Sequence, residues 1–224
     1  VDSQRDLVFI PTASASPNFY GGLRPGDNRY ANSVLALRAQ TGELAWHYQT
    51  IHHDIWDWDL PSHPLLVDIT TENGKRPIVI ALGKTGMVYT FHRDNGEPYF
   101  DIEEREVPTD GILGDQLSPT QPFPVKPPPL VRQGISPDDA WGVTPYEREA
   151  CREMIASARH GGMFTPMSTK GSIMYPQVGG GANWGGGAFD PERNILIVPV
   201  AQVPFYVKLI PEENVDKALA KTPM

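Results

Sequence analysis

Ile78-Val79-Ile80-Ala81-Leu82-Gly83-Lys84-Thr85-Gly86-Met87-Val88-Tyr89-Thr90-Phe91-His92-Arg93-Asp94-Asn95-Gly96 reads as two buried strands and two turns. Ile78 to Leu82 and Val88 to His92 are short apolar runs rich in β-branched and aromatic residues, the composition of strands. Asn95-Gly96 favours a tight hairpin, because both residues accept positive φ. Working outward, Ser33 to Leu37 and Leu44 to Gln49 flank the turn Ala39-Gln40-Thr41-Gly42. Ala188-Phe189 and Ile195 to Val200 flank Asp190-Pro191-Glu192-Arg193-Asn194. Leu7 to Ile10, Leu65 to Ile69 and Phe205 to Ile210 add further strands. Three hairpins result, each an outer strand, a polar turn with Gly or Asn, and a return strand. The fold expected is all-β, with these units as blades of a β-propeller. A sandwich would share the local pattern.

A long insertion, about 101–170, separates the second and third hairpins. Its first half is expected to be loop, with Pro122, Pro124, Pro127, Pro128 and Pro129 favouring an extended surface crossing. Its second half holds a helix near 145–160. Thr144 is the N-cap, Pro145 the first helical residue, and Glu147 completes a capping box. Cys151, Met154, Ile155 and Ala158 recur at helical spacing as a packed face, so Cys151 reads as a core thiol and Met154 as core filler. Arg159 and His160 suit the negative end of that helix, and Gly161 can terminate it.

The chain has 224 residues, a formal charge of −8 and 21% charged residues, which describes a globular protein and argues against wrapping around nucleic acid. Its 21 Gly and 23 Pro are spread among strand runs, so they mark turns rather than disorder. No apolar run approaches the roughly 20 residues of a membrane span. The N-terminus lacks the pattern of a signal peptide. Cys151 is the only cysteine, which rules out an intrachain disulfide. A strand at Leu7 with little before it, and a charged end from Glu212 to Lys221 with no closing element, read as a piece of a longer protein.

Three segments can carry chemistry. His52-His53-Asp54-Ile55-Trp56-Asp57-Trp58-Asp59-Leu60-Pro61 sets three carboxylates beside two indoles, where a carboxylate can have a tuned pKa. The plainer alternative is a loop whose tryptophans plug a core. Lys84, in a glycine-flanked turn that is not a P-loop, can aim an ammonium at an anion or carbonyl. Gly179-Gly180-Gly181-Ala182-Asn183-Trp184-Gly185-Gly186-Gly187 lets backbone approach a flat ligand, with the Asn183 amide and the Trp184 ring at hand. The front loop, Ser14 to Asn28, offers oxygens to a hard cation.

In this order, these segments resemble the quinoprotein dehydrogenases that use pyrroloquinoline quinone (PQQ), in the glucose, quinate and shikimate branch. Further landmarks are Thr41-Gly42-Glu43 with Trp46, Ser118-Pro119-Thr120-Gln121-Pro122 and Phe164-Thr165-Pro166. The resemblance implies a partial eight-bladed β-propeller, with the whole of 1–224 belonging to one domain and supplying about half the ring. It implies oxidation of a sugar or polyol hydroxyl with PQQ as hydride acceptor and calcium as a second cofactor. Asp57 matches the catalytic base and a calcium ligand. Lys84 matches the cation that hydrogen-bonds the quinone oxygens. Asn183 and Trp184 match the loop beside PQQ. Ser14 stands where the alcohol branch places a calcium-ligating asparagine. The electron acceptor would be a quinone or cytochrome, the location periplasmic, with attachment to the inner membrane through other segments. The remaining blades would complete the cofactor cage, so the isolated piece would be inactive. Two other functions fit the residues: a non-catalytic propeller used as a binding scaffold, and a metal-dependent hydrolase built on His52, His53, Asp57 and His63. Adjacent histidines in a strand-like loop point to opposite faces, which disfavours a shared ion.

Overall fold

A computed structural model describes residues 1–220. Strands β1 (Leu7–Pro11), β2 (Ser33–Arg38) and β3 (Leu44–Gln49) form one antiparallel meander; β4 (Leu65–Thr71), β5 (Gly74–Leu82) and β6 (Val88–His92) form a second. β7 (Ile102–Glu106) pairs with β8 (Thr120–Pro124). β9 (Ser172–Met174) pairs with β12 (Phe205–Val207), and β10 (Ala188–Asp190) with β11 (Ile195–Ile197).

The two meanders are joined by a shared core. Leu7, Val34, Ala36 and Trp46 of the first pack with Val79, Ala81, Tyr89 and Phe91 of the second. Trp46 lies 5.6 Å from the Phe9 ring and 6.0 Å from Phe91, and its indole N–H donates to the carbonyl of Arg93 at 3.0 Å. One indole thus fixes the turn of the second meander onto the third strand of the first. Both faces of the second half of β5, Ile78 to Leu82, and of most of β6 are covered, which is why these stretches are largely apolar runs rather than alternating ones, while Gly74 to Arg76 at the start of β5 is exposed.

Several expectations change. The strand expected after Asn95-Gly96 reduces to a single bridge between Phe91 and Pro98, and the hairpin partner of β6 is β5, through the Gly83–Met87 turn. The first half of the insertion is not all loop, because β8 runs through Pro122. Its register sets Pro122 opposite Glu104 and Pro124 opposite Ile102, while the N–H of Val125 reaches the carbonyl of Asp101 at 2.8 Å. Alternation therefore turns the proline nitrogens away from β7, and no ladder bond is lost.

The insertion's helix, α1 (Pro145–Ser157), starts with the capping box of Thr144 and Glu147. Ile155 and Ala158 are buried and Cys151 packs beside them. Met154 is 57% exposed, so it is not core filler. The helix ends at Ala158, before Arg159, whose guanidinium pairs with Asp110 instead of capping the helix. The charged C-terminal segment is not featureless. A 3-10 turn at Glu212–Asn214 leads into α2 (Val215–Leu219), while Lys221 lies outside the described residues.

Gly42 and Gly96 close equivalent turns at φ +77° and +74°, with different surroundings. A Cβ on Gly42 meets nothing within 4 Å, whereas one on Gly96 would lie 2.5 Å from the Trp46 ring. Gly42→Ala is expected to lower unfolding free energy by about 1 kcal/mol from left-handed strain alone. Gly96→Ala adds the steric conflict and is expected to lose about 3 kcal/mol. Urea midpoints of the two variants test the difference; equal losses would contradict the packing described for Trp46.

Candidate functional site

The segment between β3 and β4 leaves the sheet and folds inward. Trp56 and Trp58 are fully buried. Trp56 donates to the carbonyl of Thr165 at 2.8 Å and meets the Phe164 ring edge-on at 5.3 Å. The indoles are therefore core plugs, and the carboxylates between them take other directions. Asp54 is buried and accepts from the backbone N–H groups of Trp56 and Trp58 and from the Asn32 amide, each at 2.8 Å, and from the Ser14 hydroxyl. Burial pushes its carboxyl above the usual value, opposed by those four donors. The histidines diverge. His52 Nε2 lies 3.0 Å from Glu104, and His53 Nδ1 lies 2.7 Å from the carbonyl of Gly26.

Asp57 adopts φ +64°, a left-handed conformation that costs a non-glycine residue free energy and recurs at functional sites. Its Oδ2 lies 2.6 Å from Lys84 Nζ, and its Oδ1 accepts from the Asn18 amide at 2.5 Å. Asp59 Oδ2 lies at the same 2.6 Å from Lys84 Nζ. Asp59 is also tied by its backbone, since its carbonyl accepts from Lys84 N–H at 3.0 Å, and its Oδ1 accepts from Ser14 N–H at 2.7 Å. The Lys84 side chain is only 9% exposed, against 15% for Asp57 and 17% for Asp59. One buried ammonium therefore sits between two half-buried carboxylates. Burial holds the Asp57 carboxyl above the usual range; Lys84 opposes this and Asp59 reinforces it. Burial works against the Lys84 ammonium, but both carboxylates outweigh it and keep the amine protonated. An ammonium has three donors, and the third has no partner among the described residues.

The glycine-rich loop does not keep its close approaches for a ligand alone. Gly181 N–H donates to the carbonyl of Lys84 at 2.6 Å, and a Cβ on Gly180 would lie 2.7 Å from Lys84 Cα, Cβ and Cγ. Absent side chains let this loop lie directly on the lysine turn. Asn183, two residues on, uses its amide locally: Nδ2 donates to the carbonyl of Gly179, and Oδ1 accepts from Trp184 N–H at 2.8 Å. The Trp184 ring is 81% exposed and is not a core plug.

Asp57 and Lys84 are thus in contact, the Asn183–Trp184 loop is docked on Lys84, and Ser14 reaches the cluster through Asp54 and Asp59. Asn18 was not singled out in the sequence, although its loop was; it is one of two asparagines in that turn-rich stretch, Asn18 and Asn28, and nothing local distinguishes them. Among the described residues no group of three or more His, Cys, Asp or Glu could hold a metal ion. The cluster does carry one more carboxylate than ammonium, which suits a hard cation supplemented by further oxygens. The uncommitted Lys84 N–H suits a quinone oxygen.

Residues 1–223 match the family described as PQQ, glucose/ethanol/alcohol dehydrogenase, β-propeller domain. The chain belongs to this family of quinoprotein β-propellers, and its sheets are part of such a propeller. It is 42% identical over 217 residues to the quinoprotein glucose dehydrogenase of Escherichia coli (strain K12), covering 94% of this chain and 26% of that protein. It is 37% identical over 217 residues to the quinate/shikimate dehydrogenase (quinone) of Acinetobacter baylyi (strain ATCC 33305 / BD413 / ADP1), covering 96% and 27%. Among solved structures, the quinohemoprotein alcohol dehydrogenase ADHIIG of Pseudomonas putida HK5 aligns with TM-score 0.59 at 22% identity, over 94% of this chain and 26% of that one. The quinohemoprotein alcohol dehydrogenase of Comamonas testosteroni aligns with TM-score 0.57 at 21% identity, over 92% and 25%. The chain spans about a quarter of the length of these relatives. No helix among the described residues is long and apolar enough to cross a membrane.

Asp54→Asn replaces an acceptor oxygen by an NH2 group facing the donors of Ser14, Asn32 and Trp58. A loss of about 3 kcal/mol in unfolding free energy is expected, because buried donors are left without an acceptor. Chemical denaturation checks it; a loss no larger than that of a surface substitution would remove Asp54 as the organiser of the loop.

Proposed function

We propose that the full-length protein carrying this chain oxidises a sugar or polyol hydroxyl, with PQQ as hydride acceptor and calcium as its metal. The observation that carries this reading is the buried Lys84 ammonium held 2.6 Å from both Asp57 and Asp59, in a chain of the PQQ family. The relatives named above act, by their names, on glucose, quinate or shikimate and alcohol. PQQ, when bound, supplies the hydride acceptor, a function no side chain here can perform.

The residues of this chain then divide the remaining tasks. Asp57 accepts the proton of the substrate hydroxyl at a carboxylate oxygen as the neighbouring carbon loses hydride. In the metal-free chain, burial raises its pKa above that of an exposed aspartate. Lys84 donates its uncommitted N–H to a quinone oxygen and stabilises negative charge there. The Trp184 ring offers a flat apolar face, and Asn183 holds the turn that presents it. Asp57 would be a calcium ligand, with further oxygens from outside the described residues. Ser14 would contribute only weakly, since its hydroxyl already donates to Asp54. A quinone or cytochrome would take the electrons onward, in the periplasm, as for the family the sequence resembles. The chain is proposed to form one domain with the remaining blades, its segment 101–170 lying between successive blades.

Reconstituted with PQQ and Ca²⁺, the full-length protein is expected to reduce an artificial dye when given a sugar or polyol, and to lose this on calcium chelation. Asp57→Asn is expected to lower turnover by about 10²- to 10⁴-fold, the usual contribution of a general base. Only ionised Asp57 accepts a proton, so the rate falls as pH decreases. Undiminished turnover in Asp57→Asn would remove this residue from the chemistry.

A further inference from the structure

Asp59 has no assigned task in the reaction above, yet it is the better anchored of the two carboxylates on Lys84. It is fixed at three atoms: Oδ1 by Ser14 N–H, Oδ2 by the ammonium, and its carbonyl by Lys84 N–H. Asp57 is held by one amide and the same ammonium, on a left-handed backbone. We propose that Asp59 is a positioning residue for Lys84, holding the ammonium off a one-to-one contact with Asp57. This rests on the PQQ reading.

The reason is the electrostatics of a buried three-charge cluster. An ammonium facing one buried carboxylate closes onto it, since a charge-assisted hydrogen bond is the strongest contact on offer away from water. That pairing would occupy the oxygen of Asp57 that must receive a proton. A second carboxylate at the same 2.6 Å balances the pull, so Lys84 can lean to Asp59 while Asp57 engages the substrate. Asp59 is suited to this because its other oxygen and its carbonyl are already fixed. The alternative is that Asp59 is only a staple for the Ser14 loop, in which case its shape matters and its charge does not.

Two substitutions separate shape from charge. Asp59→Asn keeps an oxygen for Ser14 N–H and removes the charge; Asp59→Glu keeps the charge and alters the shape. PQQ affinity of the full-length apoprotein, read by quenching of tryptophan fluorescence, needs no turnover. Asp59→Asn is expected to weaken PQQ binding about tenfold, and to have no further effect in a Lys84→Met background, as for two residues acting through one contact. Asp59→Glu is expected to stay within about threefold of the unmodified protein. In the loaded enzyme, Asp59→Asn should lower kcat with little change in substrate KM. An Asp59→Asn variant that binds PQQ normally, or losses that multiply with Lys84→Met, would overturn the proposal. If Asp59→Asn does not fold, Asp59→Glu decides: retained affinity supports a charge role, and affinity as weak as that of Lys84→Met overturns it. Failure of the unmodified protein to take up PQQ would overturn the functional reading itself and this inference with it. Uptake by the unmodified protein, with an indifferent Asp59→Asn, overturns the inference alone.

Discussion

The buried carboxylate of Asp54 is the contact on which the local architecture depends. It accepts from two backbone N–H groups of its own loop, from Asn32 at the entry to β2, and from Ser14 after β1. Three separate stretches of chain meet at one side chain. Burying a carboxylate is expensive unless its oxygens are satisfied, and here four donors do so. The loop is thereby bent so that Trp56 and Trp58 enter the core while Asp57 and Asp59 face Lys84. Without that anchor, nothing in the sequence would force alternate residues of a ten-residue segment to such different environments.

Much of the fold was legible because its signals are local. The runs Ile78 to Leu82 and Val88 to His92 are strands whatever surrounds them, and the Thr144–Pro145–Glu147 combination marks a helix start by chemistry confined to four residues. What misled was pairing. Asn95-Gly96 makes its turn, but the strand expected beyond it has only one bridge, since Pro98 follows at once. The proline-rich stretch looked unable to join a sheet, yet alternation let β8 form at an edge. Met154 shared a periodic face with Ile155 but falls where the insertion offers nothing to cover it.

The site was legible to a different degree. Residue types named Asp57 and Lys84, but only folding shows that Asp59 lies at the same 2.6 Å from the ammonium and that Asn18 holds the far oxygen of Asp57. The glycine-rich loop was read as room for a flat molecule. Its nearest neighbour is instead the lysine turn, a contact between residues nearly a hundred positions apart that no local pattern announces. The tryptophans divide in the same way: Trp56 and Trp58 are sealed in, and Trp184 is open. Identical side chains took opposite fates because one pair follows a satisfied buried acid and the other tryptophan sits among glycines.

The seating of Gly180 and Gly181 on Lys84 has a consequence for how the protein comes into being. During synthesis, β5 and β6 can pair as soon as they leave the ribosome, yet the backbone that covers the lysine arrives only after the whole insertion has been made. Until then the ammonium and its two acids stand in water, where they attract one another weakly. The polar centre therefore acquires its strength last, as a late seal on sheets that have already formed.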